Sequence, residues 1–495
     1  MKKKDDVSLL WPHKNCIFEF RQESPDKEPE KIFYDKEKDS EEINKLLAPK
    51  VFTNFKRIDK DGEHPAEEIK PTDNLIIKGE NLVAMHTLKE RYGGKVKMIY
   101  IDPPYNTGSK EFKYHDRFSR SEWLTFMKNR LEVARELLKD DGVIFVQCDD
   151  REYAYLKVLM DEIFSEKQFI SSIAVKVKPP SGLAAGSKLI FDVKENILIY
   201  GKEKKVVPYD NLIEKEIDKN SKTIKQYTMM LEDEGVECET VGFIEKRNDN
   251  IEIKRHKNYK ITRIPIGKIK DINDFYLKNV KKIIRTSSFL GGVQNKTFKK
   301  IPDDELYSFC YTPSNGGRKG KKTKFYIYKK EMVNFLKDRA IIKNVNGKNK
   351  IFKTEHLSNF LDNEWWTGIA KEGGVKLNNG KKPEELLRIL IALVTKEGDL
   401  VMDFFAGTGT TCAVAHKMNR QYIGIEILDY GENGPVARLK NVINGDKTGI
   451  SKKVGWKGGG SFVYCELLKR NGKYINRNEA TAEERKKDLL CSEVS

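Results

Sequence analysis

Short apolar segments alternate with amphipathic segments in two separate stretches of this 495-residue chain. The first stretch begins near Asn74 and holds three strand-like segments, NLIIKG, KVKMIYI and GVIFVQCDD, which are separated by segments with helical spacing. The second begins near Lys381, where a helix-like segment precedes a strand, a glycine-rich turn, a helix and a further strand. This alternation predicts an α/β fold with a mostly parallel sheet covered by helices. We therefore predict one domain encoded in two halves, residues 71–204 and 356–470.

One of the predicted helices has a readable start. Ser119 is followed three residues later by Glu122, which is the spacing of a capping box. An apolar stripe at helical spacing follows, formed by Trp123, Phe126, Met127, Leu131, Ala134 and Leu138.

The positive charge of the chain is confined to the segment between the two halves. Residues 241–350 contain 28 lysines and arginines against 10 aspartates and glutamates, a net charge of +18, whereas the whole chain carries +17. A generally lysine-rich composition would spread this charge evenly. We predict a separate, inserted α+β domain at residues 205–355 that binds a polyanion, with a nucleic-acid backbone as the usual partner.

The ends of the chain and its cysteines give weaker information. Residues 1–70 are polar and predict an arm or small subdomain, and residues 471–495 predict a tail. No apolar run approaches the roughly 20 residues that cross a bilayer, and no secretory signal follows the basic N-terminus. The seven cysteines are scattered and form no C-x-x-C pair. We predict a cytoplasmic protein without a metal site.

The segment IDPPYNTG places an acid, two prolines and an aromatic ring directly after a strand. Asp102 and the carbonyl group of Pro103 are hydrogen-bond acceptors, Pro104 stiffens the backbone, and Tyr105 offers a flat surface. We predict that this site holds the amino group of a flat ring, with adenine as the favoured candidate. The alternative is a proline-rich turn with a surface tyrosine.

A second motif, DFFAGTGTT, occupies residues 403–411, where a strand leads through Gly407 and Gly409 into a helix. Glycines at such a turn let a ligand approach the backbone and the free N–H groups of the helix. Glu426 ends the next strand, where an acid commonly accepts hydrogen bonds from ribose hydroxyls. We predict a cofactor of the adenosine type, against the alternative of a tight turn without a ligand. Because ligands bind at the carboxyl ends of parallel strands, both motifs are expected at one edge of the sheet.

DPPY followed by FAGTG resembles the DNA amino-methyltransferases that use S-adenosylmethionine, in the order of motifs of the circularly permuted β class. Longer stretches, among them NLIIKGENLVAMHTLKERYGGKVKMIYIDPPYNTG and VAHKMNRQYIGIE, are similar to the modification subunits of type III restriction–modification systems. Together the similar stretches cover roughly half of the chain. Thr408 stands where those subunits more often have serine, so that a small hydroxyl is kept.

The resemblance implies a displacement reaction in which the N6 amino group of a flipped-out adenine attacks the sulfonium methyl group of S-adenosylmethionine. It implies that Asp102 and the Pro103 carbonyl accept the two N6 hydrogens, that Pro103 and Pro104 fix the backbone, and that Tyr105 stacks on the base. The implied fold is a Rossmann-like methyltransferase domain interrupted by a target-recognition domain.

The resemblance also implies the cofactor-binding residues, which are Asp403, Phe405, Ala406, Gly407, Thr408, Gly409, Thr410, Thr411 and Glu426. Lys381 and Pro383, at the start of the helix KKPEELL, are implied to pack over the methionine part of the cofactor, against the alternative of an ordinary capped helix. Asn81 is a candidate for the cofactor adenine, with a helix N-cap as the alternative. Trp365 and Trp366 have two equal interpretations, a base pocket and a buried core.

The partners follow from the same resemblance. They are double-stranded DNA, a second copy of the chain in a homodimer, and a restriction subunit that translocates and cuts DNA, with an orphan enzyme as the alternative. Three other functions stay open: a cytosine-N4 methyltransferase, for which SPPY is the more usual motif, an RNA or protein-glutamine methyltransferase, and a catalytically dead specificity subunit.

Overall fold

A computed structural model gives the fold of the chain. It describes residues 7–21, 29–66, 69–110, 112, 114–179, 190–203, 206, 208, 212–217, 221–246, 249–288, 305–312, 320–345, 347–362, 365–366, 368–376, 380–470 and 473–474. The predicted tail at residues 471–495 therefore lies outside the described residues, except for residues 473–474. The chain divides into two compact units, one formed by Met1–Asn211 with Ser358–Ser495 and the other by Leu212–Leu357.

The first unit combines strands from both ends of the chain with helices that connect them. Its strands, numbered along the whole chain, are β1 (Cys16–Arg21), β2 (Glu30–Asp35), β3 (Phe52–Asp59), β4 (Gly62–Pro65), β5 (Leu75–Lys78), β6 (Val96–Ile101), β7 (Leu138–Cys148), β8 (Phe169–Lys176), β9 (Lys194–Gly201), β21 (Phe360–Leu361), β22 (Leu400–Asp403), β23 (Gln421–Glu426), β24 (Phe462–Leu467), β25 (Lys469–Arg470) and β26 (Lys473–Tyr474). Its helices are α1 (Ser40–Leu47), α2 (Asn81–Tyr92), α3 (Arg120–Leu137), α4 (Tyr153–Phe164), α7 (Glu384–Val394), α8 (Thr410–Lys417), α9 (Pro435–Ile443) and α10 (Ser451–Val454).

Eleven of these strands form one sheet in the order β21-β8-β9-β7-β6-β22-β23-β5-β24-β3-β4. The six strands from β7 to β24 in this order are parallel to one another. The two halves of the sequence interleave, because β22 pairs with β6 on one side and with β23 on the other, and β23 then pairs with β5. The predicted α/β fold with a mostly parallel sheet built from both halves is therefore confirmed.

Interleaving has a direct consequence for the site. The strands β5, β6, β22 and β23 all run in the same direction, so the segments that follow them emerge at a single edge of the sheet. The two predicted motifs follow β6 and β22, which are neighbours.

Helix α3 forms as its sequence indicates. The Ser119 side chain accepts a hydrogen bond from the backbone of Glu122, whose carboxylate accepts one from the Ser119 backbone, so both halves of the predicted capping box are present. All six residues of the predicted apolar stripe are buried, although the last, Leu138, already begins β7.

The N-terminal segment differs from the prediction of an arm or subdomain. Strands β3 and β4 extend the central sheet, since β3 pairs with β24 and with β4. The buried residues of β3, Phe52, Phe55 and Ile58, are three positions apart rather than two. The left-handed φ of 54° at Asn54 and a register shift opposite it break the alternation, which hid this strand in the sequence.

The second unit is a mixed structure of mainly antiparallel strands. Its strands are β10 (Leu212–Glu216), β11 (Met229–Asp233), β12 (Val236–Lys246), β13 (Asp249–Lys257), β14 (Lys260–Arg263), β15 (Ile283–Ser287), β16 (Leu306–Tyr311), β17 (Thr323–Tyr328), β18 (Glu331–Phe335), β19 (Ala340–Val345) and β20 (Lys348–His356), and its helices are α5 (Lys222–Gln226) and α6 (Ile272–Asn279). They form an eight-stranded sheet, β12-β13-β16-β17-β18-β15-β11-β14, and a three-stranded one, β10-β20-β19. This unit spans nearly the predicted segment 205–355. Throughout the described part of the chain, no helix is long and apolar enough to cross a membrane.

Candidate active site

The loop after β6 has a backbone that its own contacts hold in place. The indole Nε1 of Trp123 donates a hydrogen bond of 2.8 Å to the carbonyl oxygen of Pro104. The carboxylate of Asp116 accepts hydrogen bonds from the backbone N–H groups of Asn106, at 2.8 Å, and Thr107, at 3.0 Å. Asn106 has a left-handed φ of 57°, which asparagine adopts more readily than most residues. The segment DPPYNTG therefore has a defined shape before any ligand binds.

The two prolines of this loop differ in their carbonyl groups. That of Pro104 is occupied by Trp123, as described above. Pro103 is buried, and among the residues that the structure describes no group donates to its carbonyl oxygen. Of the two carbonyl groups, only that of Pro104 is therefore engaged within the described part of the loop.

Both oxygens of the Asp102 carboxylate have partners. Oδ2 lies 2.7 Å from Nζ of Lys382, and Oδ1 accepts a hydrogen bond from the hydroxyl group of Tyr105. The Lys382 ammonium also lies over the Tyr105 ring, 5.2 Å from its centroid. Burial raises the pKa of Asp102 above its usual range, although Lys382 opposes this effect. Burial alone would lower the pKa of Lys382, but the carboxylates of Asp102 and Glu195 raise it, so the ammonium stays charged.

Three residues that sequence reasoning missed extend this cluster away from Asp102. Glu195 Oε2 lies 2.9 Å from the Tyr105 hydroxyl and 3.5 Å from Lys382 Nζ. Gln147 donates a hydrogen bond of 2.5 Å to the same carboxylate oxygen, and the hydroxyl of Tyr100 donates one of 2.7 Å to Gln147. The cluster therefore joins two carboxylates through one hydroxyl and one ammonium group.

The turn after β22 is shaped by Asp403. Its carboxylate accepts hydrogen bonds from the hydroxyl of Thr411, at 2.6 Å, and from the backbone N–H of Phe405, at 3.0 Å. Burial raises the pKa of Asp403 to about 7. Gly409 has a φ of 75°, and a Cβ atom there would lie 2.8 Å from Cβ of Pro435. Packing therefore requires glycine at position 409.

Gly407 and Glu426 face each other across two neighbouring strand ends. The backbone N–H of Gly407 donates a hydrogen bond of 2.7 Å to Glu426, whose other oxygen accepts one of 2.9 Å from the backbone of Leu428. Burial raises the pKa of Glu426. Gly407 has a φ of 53°, and a Cβ atom there would meet only the Phe405 carbonyl oxygen, at 4.0 Å. In contrast to Gly409, Gly407 is therefore not required by close packing, and its missing side chain leaves open space beside the turn.

Asn81 lies at the start of α2, but it does not cap the helix. The N-cap is Glu80, whose side chain accepts from the backbone of Val83. The side-chain amide of Asn81 instead donates a hydrogen bond of 2.7 Å to the carbonyl oxygen of Phe404 and accepts one of 2.6 Å from Arg130. Asn81 thereby ties α2 to the turn after β22.

The two lysines before α7 point in different directions. Lys381 donates hydrogen bonds to the carbonyl oxygens of Glu372, at 2.6 Å, and Val375, at 2.8 Å, and burial lowers its pKa to about 8. Lys382 contacts Asp102 instead. Pro383 is the N-cap of α7.

Beneath the glycine turn, four buried charged side chains join α7, α8 and α9. Glu384 accepts from Arg438 at 2.8 Å and from Lys417 at 2.8 Å, and Lys417 also lies 2.6 Å from Asp446. Arg438 donates a further hydrogen bond of 2.7 Å to the hydroxyl of Thr410. The side chains of Glu384, Lys417 and Arg438 have no exposed surface.

One cavity, open to solvent, connects the two motifs. The predicted site residues that line it are Asn81, Asp102, Pro104, Lys381, Asp403, Phe405, Ala406, Gly407, Thr408, Thr410, Thr411 and Glu426. Pro103, Tyr105, Pro383 and Gly409 lie beside it without lining it. Trp365 and Trp366 are half-buried and are not lining residues either. Sequence reasoning missed an aromatic wall formed by Phe20, Tyr114, Phe118 and Tyr430.

Comparison with known proteins gives one family and several relatives. A family model described as DNA methylase (N6_N4_Mtase) matches residues 96–431. The chain is 41% identical over 466 residues to the probable type III restriction-modification enzyme HindVI Mod subunit of Haemophilus influenzae, covering 89% of this chain and 61% of that one. It is 29% identical over 397 residues to the type III restriction-modification enzyme EcoPI Mod subunit of Escherichia phage P1, covering 72% and 57%. The chain thus spans about three fifths of the length of these curated relatives. Among solved structures, the PvuII DNA methyltransferase (cytosine-N4-specific) is similar with a TM-score of 0.35 and 13% identity, covering 77% of this chain and 90% of that one.

Proposed function

Because the chain belongs to the N6_N4_Mtase family of DNA methylases, we propose that it transfers a methyl group from S-adenosylmethionine to the N6 amino group of adenine in double-stranded DNA. The observation that carries the proposal is the single cavity onto which both the DPPY loop and the glycine turn open. An acceptor site and a donor site must be adjacent for direct transfer between two bound molecules.

The residues at the glycine turn fit the proposed cofactor. Gly407 leaves open space beside the free N–H groups at the start of α8, and Glu426 places a carboxylate at the next strand end, where ribose hydroxyls bind in similar folds. When bound there, S-adenosylmethionine supplies an electrophilic methyl group. We assign the walls of this site to Phe405–Thr408, Thr410, Thr411 and Lys381, whereas Asn81, Asp403, Gly409 and Pro383 act by shaping the turn and the helix start.

The DPPY loop supplies the acceptor side. Asp102 and the Pro103 carbonyl each accept one hydrogen of the target amino group, which orients the nitrogen lone pair and stabilises the positive charge that develops on it. The target base must leave the duplex to reach this buried site, and the Tyr105 ring then offers a stacking surface. The hydroxyl of Tyr105 has a second role, because it contacts the carboxylates of Asp102 and Glu195.

The identity of the base rests on Asp102. The family includes enzymes for adenine N6 and for cytosine N4, and the acid in DPPY favours adenine over the SPPY form that is more usual for cytosine. Incubation with double-stranded DNA and a cofactor labelled in the methyl group, followed by nucleoside analysis, tests this assignment. We expect labelled N6-methyladenine. Labelled N4-methylcytosine would identify the alternative base, and unlabelled DNA would contradict the proposal.

We further propose that the chain is the modification subunit of a type III restriction–modification system. The support is its similarity to the Mod subunits of Haemophilus influenzae and phage P1. On this proposal it forms a homodimer and joins a restriction subunit that cuts DNA, and co-purification with that subunit is the corresponding measurement.

The second unit, Leu212–Leu357, is proposed to bind the target DNA, and its β17–β18 hairpin is a candidate contact. Tyr328 pairs with Glu331, which leaves Lys329 and Lys330 as a two-residue turn with φ values of 53° and 56°. Such turns favour the sequence Asn-Gly. Two exposed lysines in this strained conformation are costly, so we propose that they are retained because they contact DNA phosphates.

The hairpin allows a test in which stability and binding change in opposite directions. Lys329→Asn/Lys330→Gly should stabilise the turn by about 1 kcal/mol, because asparagine and glycine adopt a positive φ more readily than lysine does. It should weaken DNA binding and reduce the slope of log affinity against log salt by up to about 2, since two phosphate contacts are lost. Lys329→Arg/Lys330→Arg keeps both charges and should bind DNA like the wild type. Equal affinity of the Asn-Gly variant and the wild type over a salt titration would contradict the assignment.

A further inference from the structure

We propose that Lys382 and Glu195 are positioning residues that set the net charge and the orientation of the Asp102 carboxylate, so that the acceptor site carries a single negative charge. The inference rests on the proposed function, since it concerns how the DPPY loop prepares Asp102. Neither residue was predicted from the sequence, and Lys381, the neighbour of Lys382, points elsewhere.

The geometry is that of a shared cluster rather than of an isolated ion pair. The side chains of Lys382, Glu195 and Asp102 are only 8%, 17% and 20% exposed. The Lys382 ammonium reaches Asp102 at 2.7 Å and Glu195 at 3.5 Å, so it serves both carboxylates. The Tyr105 hydroxyl lies between the same two groups but has only one hydrogen to share between them. The ammonium group is therefore the main compensation for the repulsion between the two acids.

Glu195 is itself held in place. Gln147 donates to its Oε2, and Tyr100 orients Gln147 in turn. These fixed contacts leave Lys382 a defined second partner when an incoming amino group takes up a position at Asp102. Glu195 thus holds the Lys382 ammonium near Asp102. The ammonium contacts one oxygen of the Asp102 carboxylate and does not block the other.

The net charge of the cluster depends on Lys382. With both acids ionised, the cluster of Asp102, Glu195 and Lys382 has a net charge of −1. Without Lys382 the charge becomes −2 in a largely buried site, and two adjacent buried carboxyl groups do not both stay ionised near neutral pH. The proton that one of them then holds removes a hydrogen-bond acceptor and the negative charge that stabilises a positive amino nitrogen.

Other titratable groups also surround Asp102, and they do not account for this effect. Tyr100, Tyr114 and Cys148 are near enough to interact with its charge, but burial raises the pKa values of these phenols and of this thiol, so they stay neutral. Asp403 also interacts with Asp102, and its pKa is raised by burial to about 7. Asp403 is unchanged in all of the variants, so differences between their profiles arise from the substitutions at Lys382 and Glu195.

The test compares the wild type with Lys382→Met, Glu195→Gln and the double variant, with Lys382→Arg as the conservative control. The measurement is the single-turnover rate of methyl transfer to double-stranded DNA as a function of pH. Lys382→Met should move the acidic limb of the profile upward by about 1–3 pH units, because it removes the cation that keeps the carboxylates ionised. The double variant restores the net charge of −1 and should return the limb toward the wild-type position. Lys382→Arg should stay close to the wild type.

A second readout does not depend on activity. Without DNA or cofactor, the folded Lys382→Met protein should keep one carboxyl group protonated at pH values at which the unfolded chain is already ionised. The reason is that the pKa of this carboxyl group is higher in the folded state. Relative to the wild type, its unfolding temperature should therefore fall as the pH rises above the usual carboxyl pKa of about 4. In the double variant this additional fall should be smaller.

The outcomes separate this inference from the proposed function. If the wild type does not methylate DNA, the proposed function fails, while the unfolding measurements still decide whether the charges are coupled. If the wild type is active and the profiles of Lys382→Met and the wild type coincide, the inference is overturned. It is equally overturned if the double variant is shifted as far as Lys382→Met, since the charge of Glu195 would then play no part in the shift.

Discussion

Replacing Asp102 by alanine is expected to lower the rate of methyl transfer to DNA by about 10³-fold or more, while DNA affinity stays close to that of the wild type. The carboxylate is the only negatively charged acceptor that the DPPY loop presents to the cavity. Its loss removes both the orientation of the target amino group and the stabilisation of the developing positive charge. In the variant, Lys382 still has Glu195 as a partner, so an unpaired buried charge is avoided. The measurement is the single-turnover rate together with an equilibrium DNA-binding titration.

A matched control comes from the neighbouring strand end. Asp149 follows β7 at the same edge of the sheet and pairs with Arg151, but it does not line the cavity. Asp149→Asn should therefore retain most of the activity. A substantial rate in Asp102→Ala, or equal losses in the two variants, would show that Asp102 does not hold the target amino group.

The central part of the fold could be predicted because it follows from local patterns. Apolar strands of four to eleven residues alternate with helices whose capping and apolar stripes are legible, as in α3. The rule that ligands bind at the carboxyl ends of parallel strands then brought Asp102 and Gly407 to one edge, although three hundred residues separate them. The structure places both sets of residues around one cavity. Their individual catalytic and cofactor-binding roles stay predictions.

The missed residues depend on information that is not local. Glu195 lies near the start of β9, and in a parallel strand that position would be at the opposite edge of the sheet. Because β9 runs antiparallel to β7, its first residues lie beside the end of β7 and hence beside the site. Lys381 and Lys382 are adjacent and chemically identical, so only the path of the chain decides which of them reaches Asp102. The aromatic wall of the cavity likewise comes from β1 and from loops without a recognisable pattern.

The buried charges beneath the glycine turn lead to the largest stability effect that we expect. Glu384→Leu should lower the free energy of unfolding of the first unit by about 3–5 kcal/mol, because among the described residues it leaves the buried Arg438 without a carboxylate partner and Lys417 with Asp446 alone. All five tryptophans of the chain lie in the first unit, so their fluorescence during denaturation reports the unfolding of that unit alone. As a control, Glu41→Gln removes an exposed ion pair with Lys45 and should leave the transition unchanged.

The double variant Glu384→Leu/Arg438→Met distinguishes a charge network from ordinary packing. It removes one positive and one negative group, so Lys417 and Asp446 remain as a balanced pair. If the network is held by charge balance, the double variant should be more stable than Glu384→Leu, because replacing a buried ion pair by apolar side chains costs less than leaving one partner behind. A loss equal to the sum of the two single losses would contradict this coupling. Since Arg438 also donates to Thr410, the same network fixes the start of α8, and thereby the turn on which the proposed cofactor site depends.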